Sequence, residues 1–219
     1  LRLRLSLVGE LTAAGTRVVP LGELMASEWL RDRSQGWVTW LAALVNRAGL
    51  SPTALTILGF IFNLAVAVVL AAGHLVLGGV LVILASLFDT LDGAVARYSG
   101  RVTHFGAFLD STLDRGSEAA LYLGLLYYYA RQNSMPEILL IYLTIVGSTM
   151  VSYTRARAEG IGVACKVGWF TRFERIAVLV IGLLLQQMTT ALIVLAVGSA
   201  LTTVQRILHV QRQLASEGH

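Results

Sequence analysis

From Ser51 to Arg212 the chain is a succession of apolar runs, each near the length that crosses a bilayer, separated by short polar stretches. A membrane's hydrocarbon core is about 30 Å thick, which roughly 20 helical residues span. Inside hydrocarbon every backbone polar group must be paired within its own element or a closed sheet, so such runs become helices. The spacing predicts six of them, at about 52–73, 76–98, 104–131, 136–158, 171–187 and 189–210. Pro52 after Ser51 is a natural start, because proline at a first helical position loses no hydrogen bond. Only Gln186, Gln187 and Thr189 part the fifth run from the sixth, the weakest of these boundaries. Composition agrees: 56% of the 219 residues are hydrophobic and 14% charged. Soluble domains carry roughly a quarter charged residues, so lipid must be part of the solvent here.

A net charge of +4 could point to nucleic acid, but the basic residues sit at the ends of apolar runs rather than in one patch. Six crossings return the chain to its starting side, and of the 17 lysines and arginines only Arg131 falls on the other. Positive residues stay in the cytoplasm. The expectation is a multi-pass protein of the inner (cell) membrane with both termini cytoplasmic and no nucleic-acid partner. The single cysteine, Cys165, excludes an internal disulfide and a cysteine zinc site. No signal peptide is visible, and the sequence opens on Leu1 rather than Met, so the natural start is expected upstream.

The first fifty residues differ in character. Leu1, Leu3, Leu5 and Leu7 alternate with Arg2, Arg4 and Ser6 at the period of a strand. That pattern is either the stump of a larger N-terminal part or a basic tail. From Gly22 to Arg47 the pattern turns helical and amphipathic, with Trp29, Trp37 and Trp40 among Arg31, Asp32, Arg33 and Arg47. This reads as a helix lying in the headgroup region, with a surface helix packed on the bundle as the alternative.

Chemistry concentrates where the second run meets the third. Asp89-Thr-Leu-Asp92-Gly93-Ala-Val-Ala96-Arg97 is followed, after eight residues, by Gly106-Ala-Phe-Leu-Asp110-Ser-Thr-Leu-Asp114. Ionisable residues inside membrane helices are costly, and their default reading is functional. At helical spacing Asp89 and Asp92 share one face, and Gly106, Asp110 and Asp114 another. The short link from Tyr98 to Thr103 makes the two helices antiparallel neighbours, so four carboxylates can converge near the cytoplasmic boundary. Unpaired they would repel. Oxygen ligands without sulfur or imidazole suit magnesium or manganese, and such ions grip a diphosphate. Gly93 and Gly106 leave room for a ligand or a neighbouring backbone. Gly116, Gly124, Gly147, Gly182 and Gly198 allow close packing of helices. Helix capping, or ion pairs with Arg97, Arg101 and Arg115, would explain one such aspartate, but hardly four at this spacing.

The pattern D-x-x-D-G-x-x-A-R, eight residues, then G-x-x-x-D-x-x-x-D resembles the signature of the CDP-alcohol phosphotransferases, and every specified position matches. The resemblance extends from about Ser51 to Arg212 and implies an all-α, six-transmembrane-helix catalytic domain over 51–212. Residues 1–50 would form a cytoplasmic segment with an amphipathic interfacial helix, and 213–219 a cytoplasmic tail. It also implies that Asp89, Asp92 and Asp110 hold a pair of magnesium or manganese ions, and that Asp114 touches the second ion and is the general base. Gly93, Arg97 and Thr103 would contact the cytidine nucleotide of CDP-diacylglycerol. So would Thr53 and Thr56, where Thr53 replaces the Asn or Asp of many relatives. Two ions per site, direct transfer with release of CMP, and a homodimer belong to the same implication.

The acceptor is read from arginines. Arg155 and Arg157 near the end of the fourth run, Arg172 and Arg175 at the start of the fifth, and Arg206 late in the sixth converge on the side of the aspartates. Guanidinium pairs bidentately with phosphate, which points to an anionic acceptor. The plainer reading makes them positive-inside residues, some paired with Glu159 and Glu174. The stretch 155–159 and the R-x-E-R at 172–175 resemble the phosphatidylinositol phosphate synthase branch. There, residues matching Arg155, Arg175 and Arg206 bind the phosphate of inositol 1-phosphate. That branch's R-P-E-R is here R-F-E-R, and its common lysine is Arg155, which leaves glycerol 3-phosphate as the alternative acceptor. A divalent-cation transporter would also place acids in membrane helices, usually nearer the midplane. A noncatalytic scaffold is the third class, opposed by the complete acidic set.

Overall fold

The computed structural model describes residues 51–98 and 103–217, apart from the side chains of Thr90, Asp92 and Glu217. The strand-like alternation at 1–7 and the amphipathic helix at 22–47 lie outside the described residues. Among these the chain forms α-helices only: α1 Pro52–Ala71, α2 Leu75–Tyr98, α3 His104–Arg131, α4 Met135–Gly160, α5 Arg172–Leu184 and α6 Met188–Glu217. Each matches an expected apolar run.

The starts are written in local chemistry. The Ser51 hydroxyl accepts from the Ala54 amide at 3.1 Å with Pro52 just inside α1, and Thr103 accepts from the Gly106 amide at 2.9 Å to open α3. α5 opens on a capping box, in which the Thr171 amide donates to Glu174 Oε2 at 2.8 Å. Three short turns close one end of the bundle, each with a left-handed residue: Gly73 (φ 90°), Asn133 (φ 55°) and Gln186 (φ 56°). The turn at Gln186 makes the division between the fifth and sixth runs real.

Two lengths depart from expectation. α6 continues to Glu217, beyond 210 and through most of the expected tail. Nothing in Gln211-Arg-Gln-Leu-Ala-Ser-Glu217 stops a helix, since it has neither glycine nor proline. α5 has only 13 residues, roughly 20 Å at 1.5 Å per residue. α1, α2, α4 and α6 are long and apolar enough to cross a membrane. α3 has the length, with 28 residues, but carries Asp110, Asp114, Arg115 and Glu118 between its second turn and its middle.

The helices pack as a closed ring in the order α1, α2, α5, α6, α4, α3 and back to α1. Val66, Leu70, Val82, Leu121, Leu125, Ile141, Leu179, Leu183, Leu192 and Leu195 fill its interior. α1 and α3 approach closely because a Cβ on Gly124 would stand 2.3 Å from the Ala67 carbonyl oxygen. Outward faces are apolar as well. Ile61, Val68, Leu87, Leu123, Leu143 and Leu201 are all more than half exposed, as lipid-facing side chains are. The end opposite the three turns gathers the starts of α1, α3 and α5 and the ends of α2, α4 and α6. Trp169 and Phe173 there are 86% and 78% exposed, aromatic side chains suited to a membrane surface.

Candidate active site

At that end α3 separates two cavities. One, of about 350 Å³, lies among the starts of α1 and α3 and the end of α2. Thr53, Thr56, Gly93, Arg97, Thr103 and Asp110 line it, so all five residues expected around the nucleotide share one space with an aspartate. Arg97 folds back along α2, its Nη1 3.4 Å from where a Cβ on Gly93 would begin. Thr103 caps α3 with the same side chain that faces this cavity.

The second cavity, of about 400 Å³, lies between α3, α4 and α5. Asp114, one turn beyond Asp110, lines it with Glu118, Ser152, Arg155, Arg172 and Arg175. α3 and α5 do not pack backbone to backbone, and arginine side chains join them instead. Arg175 is 2% exposed and grips Glu118 with two parallel bonds, Nε to Oε1 at 2.7 Å and Nη2 to Oε2 at 2.9 Å. Arg172 donates from Nη2 to Asp89 Oδ2, and its Nη1 stands 2.7 Å from Asp114 Oδ2, each contact 2.7 Å long. A third space, an apolar groove of about 580 Å³ between α2 and α5, runs past Leu87, Ile176 and Val180 to Asp89 and Arg172.

Arg155 stands in the second cavity and pairs with Glu159 at 2.9 Å, both side chains half exposed. Arg206, expected beside it, is placed elsewhere. It is 5% exposed, donates from Nε to the Val167 carbonyl at 3.0 Å and from Nη1 to the Val151 carbonyl, and borders a separate cavity with Arg157. The guanidinium thus ties α6 to α4 and to the 161–171 loop through their backbone carbonyls, sharing Val151 with the Thr154 hydroxyl at 3.1 Å. Glu174, considered as an arginine partner, caps α5 instead.

Among the described residues no three acidic, histidine or cysteine side chains stand ready-made around one point, the Asp92 side chain lying outside the description. Asp89 and Asp114 nevertheless close on a single positive group. An all-carboxylate donor set already wrapped around a cation fits a hard metal ion by charge and by ligand type.

Sequence reading missed Glu118, Ser152 and the groove. Glu118 had a signal: it continues the stripe Asp110, Asp114 by four more residues, on the same helix face. The groove had none, since Leu87, Ile176 and Val180 look like any membrane-helix residues.

The model of the family described as CDP-alcohol phosphatidyltransferase matches residues 49–204. The chain belongs to that family. It is therefore an enzyme of phospholipid synthesis, and the transporter and scaffold readings fall away. Among its relatives, the archaetidylinositol phosphate synthase of Methanothermobacter thermautotrophicus is 37% identical over 177 residues, covering 78% of this chain and 88% of that one. The phosphatidylinositol phosphate synthase of Mycobacteroides abscessus is 36% identical over 176 residues, 76% of this chain and 80% of that one. Among solved structures, the chain is similar to Mycobacterium tuberculosis phosphatidylinositol phosphate synthase with CDP-DAG bound, at 35% identity and a TM-score of 0.76. That match covers 79% of this chain and 92% of the other. The same protein in complex with manganese and citrate matches with a TM-score of 0.76 at 35% identity, over 80% of this chain and 88% of that one.

Proposed function

We propose that this enzyme transfers the phosphatidyl group of CDP-diacylglycerol to inositol 1-phosphate, giving phosphatidylinositol phosphate and CMP. The observation that carries the reading is the pair of cavities flanking α3. One holds Thr53, Thr56, Gly93, Arg97 and Thr103 beside Asp110, and the other holds Arg155 and Arg175 beside Asp114. The names of the relatives supply the polyol.

Thr53, Thr56, Thr103 and Arg97 bind the cytidine diphosphate part, and Gly93 leaves it room. The lipid tails lie along the apolar groove between α2 and α5. Arg155 and Arg175 hold the acceptor's phosphate, and Arg206 supports them by fixing the α4 wall at Val151, next to Ser152 in the cavity. Asp114 takes the proton from the acceptor hydroxyl as that oxygen bonds to the phosphorus bearing diacylglycerol. The bond from that phosphorus to the CMP oxygen breaks, and CMP leaves. Magnesium or manganese, two ions held by Asp89, Asp92, Asp110 and Asp114, supplies neutralisation of the diphosphate charge.

The setting is part of the proposal. All six helices lie in the inner membrane, residues 1–50 place an interfacial helix on its cytoplasmic face, 51–212 form the catalytic domain, and the site opens to the cytoplasm. The working form is a homodimer.

The test is CMP release from CDP-diacylglycerol with inositol 1-phosphate, glycerol 3-phosphate and free inositol as acceptors. Inositol 1-phosphate is expected to be used and free inositol ignored. Equal rates with inositol and its phosphate would end the arginine clamp, and preference for glycerol 3-phosphate would move the enzyme to the phosphatidylglycerophosphate branch.

A further inference from the structure

Arg172 is the first residue of α5, set in place by the Thr171–Glu174 cap. From there it reaches α2 and α3 at once, with Asp89 on Nη2 and Asp114 on Nη1, both at 2.7 Å. Its remaining nitrogen, Nε, is buried and finds no hydrogen-bond partner among the described residues. A buried donor left unpaired costs free energy, so this pose satisfies the two aspartates at the arginine's own expense. Arg172 also stands between two spaces. It lines the acceptor-side cavity with Asp114 and the apolar groove with Asp89. Its guanidinium therefore borders both the space proposed for the lipid tails and the cavity proposed for the acceptor.

We propose that Arg172 is a displaceable counter-cation, a positioning residue that holds Asp89 and Asp114 together when no divalent ion is bound and withdraws from them when one binds. This rests on the metal reading of the aspartates given above. A divalent ion held by these carboxylates would stand within a few ångströms of the guanidinium already on their Oδ2 atoms, and two cations repel at such range. Withdrawal frees the pair for the ion and offers the Arg172 fork, with its unpaired Nε, to an anionic oxygen of the substrates. A residue that merely organised the acids for metal would have the opposite effect when removed, which separates the two roles.

The experiment measures Mn²⁺ binding to the whole protein in detergent, without nucleotide, from the electron paramagnetic resonance signal of the free ion. Wild type is compared with Arg172→Gln and with Arg172→Lys, which keeps a charge but cannot fork and guards against a glutamine variant that fails to fold. Arg172→Gln should bind Mn²⁺ at least about tenfold more tightly, equivalent to roughly 1.4 kcal/mol. Arg172→Lys should fall between. In chelator, Arg172→Gln should unfold at a lower temperature than wild type, and Mn²⁺ should raise its midpoint by more. Equal or weaker Mn²⁺ binding by the folded variants, with wild type binding normally, overturns the role of Arg172 and leaves the metal reading intact. No binding by any of the three overturns both.

Discussion

At the residue scale the acidic stripe of α3 assigns its members different work by their partners. Asp110 opens to the nucleotide-side cavity, Asp114 meets Arg172, and Glu118 is closed on Arg175. The carboxylate proposed as base is Asp114, and an amide in its place accepts no proton. Asp114→Asn should lower turnover by about 10²–10⁴-fold, the usual worth of a positioned base. Retained binding of CDP-diacylglycerol beside lost CMP release is the expected pattern, and near-normal release would remove the assignment. The Arg175–Glu118 pair makes a different prediction. Buried ion pairs add little stability over apolar residues of similar volume, whereas removing one partner costs about 3–5 kcal/mol. Glu118→Ala should therefore destabilise the fold, while the double variant Glu118→Leu/Arg175→Met should unfold at or above the wild-type temperature. The double variant's acceptor KM should nonetheless rise by on the order of tenfold or more, since a charge-assisted bond to phosphate is worth roughly 1.5–3 kcal/mol. An unchanged acceptor KM would show that Arg175 serves Glu118 alone.

At the element scale the nucleotide-side cavity depends on how closely α1 approaches α3, because Thr53 and Thr56 come from one and Gly106 and Asp110 from the other. That crossing is set deeper in the bundle, where the Gly124 site lies against the Ala67 backbone. A side chain there has nowhere to go, for its first atom would sit 2.3 Å from a carbonyl oxygen rather than from the end of a flexible chain. Gly124→Val should force the helices apart and destabilise by about 1–3 kcal/mol, the range for overpacking. Its KM for CDP-diacylglycerol should rise while the acceptor KM moves less, because the α3–α4–α5 cavity does not include α1. Thermal unfolding and a two-substrate kinetic series check both halves.

At the scale of the whole molecule, the short turns at 72–74, 132–134 and 185–187 lie at one end and the cavities at the other. The proposed orientation puts the turns outside the cell. Cys165 is the sole cysteine and is fully buried, so it gives a quiet background for thiol labelling. Gln132→Cys, at an exposed turn, should react with a membrane-impermeant maleimide added to intact cells. Ala215→Cys, exposed near the end of α6, should react only after the membrane is opened. The reverse pattern would invert the topology and place the site outside.

What the sequence determined by itself was whatever depends on local spacing. Apolar runs, Ser51-Pro52, Thr103 and the Asp–Gly–Arg spacing produce helices, their starts and the shared faces of the aspartates through interactions within a few residues along the chain. The nucleotide-side group was named through the family resemblance: Gly93, Arg97 and Thr103 flank one short link, whereas Thr53 and Thr56 reach the same cavity from the start of α1. What lies across the bundle was decided by tertiary structure. Arg172 and Arg175 read alike, three residues apart, yet one bridges Asp89 and Asp114 while the other is buried on Glu118. Arg206 carries the same charge, and its hydrogen bonds among the described residues go to backbone carbonyls. A long, forked cation takes whichever desolvated acceptors the packing leaves within its reach. Its partner is therefore set by where α5 and α6 come to rest in the ring, which no spacing along the chain encodes.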